Sequence, residues 1–413
     1  MPAASPSSSA DKVRRADVRH GGQGTSLLDD MFDLGGNKGV PRTAALDGLR
    51  GLAALMVFLV HYAALVAPWL PAESLIAASA RGMHAAGHLG VYLFFVISGY
   101  LIYGSLIRKE AAFLPYMARR IRRIYPIFLV VFALYLVLSA VFPEQSKIPS
   151  DPSEAVPYVL ANILLLPGLF DITPIITVAW SLSYEMFFYL VMPIIVGMLA
   201  LRRRSTGFRL AVFGAIWVMI PIMFPEHFAA SAFIVGIMLV ETANAYRDRS
   251  LPGWLEPLAV LAFAAAIVLY SAVYLDLIEG AHINIWKNIV LFAASYLLFL
   301  ATLQRDGALA GLFRLRIARY FGNISYSFYL IHSLCLHVVF LVTAALIPAE
   351  STAHSLWFWA LLPPSLLAST LGAAGLFLLV ERPFSLDGKG AVSLLRRKQG
   401  EGLLTAEATL ESR

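Results

Sequence analysis

Charge is scarce in this chain. Asp, Glu, Lys and Arg make up 14% of its 413 residues, where an ordinary soluble domain carries roughly 25%. Too little charge is present to coat a water-exposed surface of normal size. Cysteine is nearly absent as well: Cys335 stands alone, so no disulfide can form within the chain and no cysteine metal cluster can exist. An apolar leader is also missing. Residues 1–40 are rich in Ser, Gly, Ala and charge, which does not fit a signal peptide and suits a disordered tail. Within them, DMFDL at 30–34 is expected to be plain linker, with a short interfacial or partner-binding turn as the alternative. No repeat of fixed period is visible.

Hydrophobic residues, by contrast, make up 59% of the chain, with mean hydropathy +0.72. Long apolar runs at this density define an all-α, polytopic transmembrane helical bundle. Eleven apolar segments stand out, near 46–67, 88–107, 124–142, 155–170, 178–201, 208–224, 227–242, 257–275, 286–303, 323–347 and 357–380. Of the 32 Lys and Arg, 28 fall in six clusters: the N-terminal tail, 108–123, 202–209, 247–249, 305–319 and 382–413. Arg50 lies within the first segment, and only Arg81, Lys147 and Lys287 fall elsewhere. Basic loops stay on the cytosolic side, so an even number of spans must separate 108–123 from 202–209. Segment 155–170 breaks that parity if it crosses. It is short, with Pro157 and Pro167 near its ends, and is expected to be re-entrant or interfacial. About ten spans remain, with both termini cytosolic. The expected division is a disordered cytosolic tail over 1–43, a membrane domain over 44–385 and a cytosolic tail over 386–413. The net charge of +6 then reflects loops facing anionic lipid and anionic cytosolic cofactors, and not nucleic acid.

Ionisable groups inside such spans are functional candidates by default. Arg50 and His61 share the first. Eleven steps of about 100° bring them within about 20° of one helix face, about 16 Å apart along the axis. That layout suits gripping an anionic molecule near one membrane face while acting on its far end. A snorkelling arginine with a histidine bonded to a neighbouring helix is the alternative. YMARRIRRIYP at 116–126 puts Arg120 and Arg123 on one face at i, i+3. Guanidinium groups bind phosphate bidentately, although a basic run beside a membrane also serves simply to set topology. Glu185, in WSLSYEMFFYLVMP at 180–193, is expected about 7 Å below the outer mouth. There it either orients a histidine, bonds an acceptor hydroxyl or makes a structural hydrogen bond. Ser98-Gly99 in GVYLFFVISGYLI reads as either a polar tunnel support or close helix packing. In NISYSFYLIH at 323–332, Tyr326, Tyr329 and His332 supply polar tips that either line a tunnel or pack. His337 reads as packing, and Glu381-Arg382 as a helix-end anchor.

Taken in order, LDGLRGLAALMVFLVHY, GVYLFFVISGYLI, RRIRRIYP, WSLSYEMFFYLVMP, ISYSFYLIH and VERP resemble the motif series of the bacterial acyltransferase-3 family, integral membrane O-acyltransferases, over roughly 44–385. The resemblance implies a multi-span enzyme of the cytoplasmic (inner) membrane. It implies transfer of an acyl group, commonly acetyl, from cytosolic acyl-CoA to a hydroxyl of a glycan, a lipid-linked sugar or a small natural product such as a macrolide. The chain is expected to be of the stand-alone type, without an SGNH-type domain. Acyl-CoA enters as co-substrate. No permanently bound cofactor and no metal are expected. The family's Arg-x10-His falls on Arg50 and His61, and its Arg-x-x-Arg on Arg120 and Arg123. By this reading Arg50, Arg120 and Arg123 hold the CoA phosphates. His61 is the general base, and Glu185 orients it or positions the acceptor. Direct transfer and an acyl-His61 route both fit.

A second class stays open on the residues alone. Buried Arg, His and Glu also mark ion pathways in transporters, and a flippase would move a lipid-linked molecule without chemistry. Transporters of this kind often carry inverted repeats with broken helices in matching halves. No such pairing is visible here.

Overall fold

The computed structural model describes residues 31–32, 41–246, 251–280, 283–348 and 353–386. The expectations for the rest of the two tails lie outside these residues. Of the 30–34 segment, Met31 and Phe32 are described, and they are docked. The Phe32 ring stacks on Phe377 at 6.0 Å, and the Asn323 side-chain amide donates to the Phe32 carbonyl at 2.8 Å.

Ten helices among the described residues are long and apolar enough to cross a membrane. The first is α1 (Pro41–Val66). The second joins α2 (Leu75–Gly87) to α3 (Leu89–Arg108), with a turn at His88. There follow α4 (Phe113–Val141), α6 (Trp180–Met198), α7 (Thr206–Met223), α8 (Ser231–Ala245), α9 (Leu255–Tyr274) and α10 (Ile283–Gln304). The last two are α13 (Ser325–Leu346) and α14 (Leu356–Leu376), which widens into a π-helix over Phe377–Leu386. Short helices α5 (Pro152–Ile163), α11 (Ala308–Phe313) and α12 (Arg316–Asn323) complete the set.

Segment 155–170 is not among the ten. Its helix, α5, has 12 residues, about 18 Å of rise against a hydrocarbon core of about 30 Å. The chain then turns sharply, with Leu165 and Gly168 at φ +55° and +91°. Asn162 pins the return by accepting from the Ile175 amide at 2.8 Å.

Helix α1 is central, packing against α2, α3, α12 and α13. Apolar side chains on α4 such as Leu129, Val130 and Val137 are exposed, and Phe213 is the single buried residue of α7. In water such a belt would aggregate; facing lipid it is at its lowest free energy. Association within lipid relies on close packing and buried polar contacts. Helices α3 and α8 supply both. A Cβ on Gly99 would collide with the Phe233 carbonyl, and one on Gly236 with the Val96 carbonyl. Phe233 sits between Phe95 and Phe188, each ring 4.4 Å away, tying α3, α6 and α8 together. Gly99→Val is therefore expected to destabilise the bundle by about 1–3 kcal/mol through overpacking. Thermal unfolding in detergent checks this, and an unchanged midpoint would show that the helices separate freely.

A buried polar knot lies one turn further along. Glu241 on α8 is fully buried. It accepts from the Tyr103 hydroxyl at 2.5 Å and from Arg209 Nε and Nη2 at 2.8 and 2.7 Å.

Candidate functional site

A cavity of about 180 Å³ opens between α1, α3, α4, α6 and α13. It is lined by Arg50, Ser98, Arg120, Arg123, Glu185, Tyr326 and Tyr329. Seven side chains singled out from separate stretches of sequence thus meet on one surface. Three are cations and one is a carboxyl.

Each is positioned by its own element. Arg120 lies one helical turn after Tyr116, and its guanidinium sits over that ring at 5.4 Å and over the Tyr189 ring at 5.1 Å. Two aromatic faces attract a cation through their ring quadrupoles. Arg123 donates to Glu381 at 2.8 Å and stands 5.7 Å from the centre of the Tyr326 ring. Arg50 has no hydrogen bond and no carboxylate within 4.0 Å among the described residues. Arg120 likewise has no carboxylate within 4.0 Å, so Arg123 alone of the three is ion-paired among the described residues.

Glu185 lies eight residues inside the end of its span at Thr177, about 12 Å and deeper than expected, because the span begins before Trp180. Its Oε1 accepts from Ser98 at 3.1 Å and from Tyr189, one turn along the same helix. Ser98 thus bonds a carboxyl while its neighbour Gly99 provides the close approach of α3 to α8. Tyr329 donates to the Val178 carbonyl at 2.9 Å and meets Ser181 Oγ at 2.7 Å, so its ring is locked at the inner end of the cavity.

His61 and His332 are not among the cavity's lining residues. They pair with each other, ring centres 5.1 Å apart. His332 is fully buried; its Nδ1 bonds the Phe328 and Tyr329 carbonyls at 3.0 and 2.9 Å, and its Nε2 has no partner. Tyr329 bridges the two regions: it lines the cavity, and its ring lies 6.3 Å from that of His332. Glu185 has no hydrogen bond to His61 among the described residues.

The sequence reading missed Glu381. Taken as an end anchor, it is instead fully buried and accepts from both Arg123 and Ser327, the latter at 2.6 Å. The π-helical stretch around it carries more residues per turn than an α-helix, which rotates side chains into register with a site. Tyr189 was missed too, although its i+4 spacing from Glu185 was a usable signal.

Fold and site together define a multi-span helical membrane protein with a cation-lined cavity buried among its helices. The chain belongs to the acyltransferase-3 family: the family profile described as an acyltransferase domain matches residues 43–379. Among curated proteins it is similar to acyltransferase MdmB of Streptomyces mycarofaciens, 28% identical over 62% of this chain and 64% of that protein. It is also similar to O-acetyltransferase OatA of Staphylococcus aureus, 28% identical over 44% of this chain and 29% of that protein. The matched stretches therefore span less than two thirds of these relatives. No solved structure matches the chain.

Proposed function

We propose that the protein is an O-acyltransferase of the cytoplasmic membrane. Its donor is acyl-CoA, commonly acetyl-CoA, entering from the cytosolic face on which the basic loops and both termini lie. Its acceptor is a hydroxyl of a glycan, a lipid-linked sugar or a small natural product. The observation that carries this reading is the charge of the cavity: three arginines line it, of which Arg123 is paired with Glu381 behind it, and Arg50 and Arg120 face it with no ion pair among the described residues. Cations withdrawn from water need compensation. A polyphosphate supplies it, with guanidinium groups as its best partners. The names of the two relatives point the same way.

In this mechanism Arg50, Arg120 and Arg123 hold the CoA phosphates, with Glu381 fixing Arg123. The pantetheine arm runs inward past Ser98 and Glu185 toward Tyr329. The rise of about 16 Å from Arg50 to His61 suits that arm. His61 takes the proton of the acceptor hydroxyl as the oxygen attacks the thioester carbonyl. The tetrahedral adduct collapses, the C–S bond breaks, and the CoA thiolate leaves and recovers a proton from the imidazolium. His332, whose ring lies tilted against that of His61, positions it.

Purified protein in lipid nanodiscs with radiolabelled acetyl-CoA tests the reading. CoA release with a labelled product is expected from a panel of lipid-linked sugars, glycans and hydroxylated natural products. Arg50→Lys and Arg120→Lys, made singly, keep charge but lose the bidentate fork. Each is expected to weaken acetyl-CoA affinity about tenfold or more, the worth of one charged hydrogen bond. Absence of acyl-CoA binding by the native protein would overturn the proposal and leave transport without acyl chemistry as the better account.

A further inference from the structure

Three basic residues escape the charge bias and lie at the end of the bundle opposite the arginine cluster: Arg81, Lys147 and Lys287. Two of them are held by neighbours. Lys147 donates to the Pro174 carbonyl at 3.1 Å and to Thr177 Oγ1 at 3.0 Å. Lys287 sits over the Tyr270 ring at 4.6 Å. Arg81 has neither a hydrogen bond nor an ion pair among the described residues, and it lines a cavity.

That cavity, about 420 Å³, is formed by α1, α2 and Tyr274 of α9, together with the turn joining α1 to α2. Six of its ten lining residues are alanine. Alanine makes room by truncation: one leucine at such a position would fill much of the space. The polar side chains that face it are Arg81, His84 and Tyr274. All three can donate hydrogen bonds, and no carboxylate lines the cavity. The His84 ring is itself backed by His88 at 5.1 Å and Tyr274 at 5.6 Å.

The cavity also leads toward the imidazole pair. Ala64, on its wall, lies one turn beyond His61 on the same face of α1, about 4.5 Å along the axis. His61 is half-buried and Ala64 is exposed.

We propose that this cavity is the acceptor vestibule and that it selects alcohols carrying an oxyanion, a phosphate or a carboxylate. Arg81 and His84 hold the anion, Tyr274 covers the apolar face of the molecule, and the hydroxyl passes Ala64 to reach His61. This deepens the acyltransferase reading and rests on it. The two cavities then divide the work by side. The donor's phosphates are gripped at the basic end and the acceptor's anion at the other, with the imidazoles between them.

The test needs no acyl transfer. Ala64→Cys is made in a Cys335→Ser background, and its maleimide labelling rate is measured in nanodiscs. Glucose 1-phosphate, glucuronate and methyl glucoside are added at equal concentration. The two anionic sugars are expected to slow labelling severalfold and the neutral one not to. Protection by only one anion names the group recognised. Adding Arg81→Gln is expected to remove the protection. Equal slowing by methyl glucoside, no slowing by any sugar, or protection that survives Arg81→Gln would overturn the proposal. Ala67→Cys replaces Ala64→Cys if that variant does not fold. Acyl transfer without protection would sink the vestibule alone, whereas protection in a protein that binds no acyl-CoA would sink the acyltransferase reading.

Discussion

His61→Gln is expected to cut acyl transfer by about 10²–10⁴-fold, the usual contribution of a general base, while acyl-CoA binding stays near its native value. Glutamine keeps a polar tip of similar reach but cannot accept the proton. The donor's phosphates are assigned to arginines on another level of the bundle, so binding and chemistry separate cleanly. His61 is half-buried and touches His332, so its replacement does not empty a packed core position. The comparison is transfer rate against acyl-CoA binding in one nanodisc preparation. Near-native transfer by His61→Gln would remove it from the mechanism. Joint loss of binding and folding would make it a packing residue.

Arg209→Met is expected to lower the stability of the bundle by about 3–5 kcal/mol, the consequence of leaving a buried charge without its partner. Glu241 is fully buried, and Arg209 makes two of the three side-chain hydrogen bonds to its carboxylate. The Tyr103 hydroxyl alone cannot neutralise it. Replacing both members, as Arg209→Met with Glu241→Leu, should recover most of the loss, because the carboxyl is then absent. Thermal unfolding of the single and double variants in the same detergent measures this. Equal stability of Arg209→Met and the native protein would mean that water already solvates Glu241.

Hydrophobic run length gave the spans, since each backbone group in lipid must be bonded within its own helix. Charge parity then separated 155–170 from the crossing segments, which residue spacing alone would not have done. The cavity was legible in part. Arg50, Ser98, Arg120, Arg123, Glu185, Tyr326 and Tyr329 each stood out as polar in an apolar context, and they share one surface. The relation of His61 to that surface was not legible. A common helix face predicts a common direction, but neighbouring helices cross at an angle. At the level of Arg50 that face looks into the cavity; at the level of His61 it meets α13. Glu381 was hidden for a different reason. Its partner Arg123 is 258 positions away, and the widened helix that turns it inward leaves no periodic trace in so short a stretch.

The bond between Arg123 and Glu381 also sets a timetable. Chains are made from the N-terminus onward. Arg50, Ser98, Arg120 and Glu185 all belong to the first four crossing helices, whereas Glu381 lies near the end of the tenth. Until that final helix is in place, Arg123 lacks its carboxylate and the cationic cavity lacks one of its fixed walls. A partly made chain therefore carries most of the residues of the site without their arrangement, and the site becomes whole only once the tenth helix has been made.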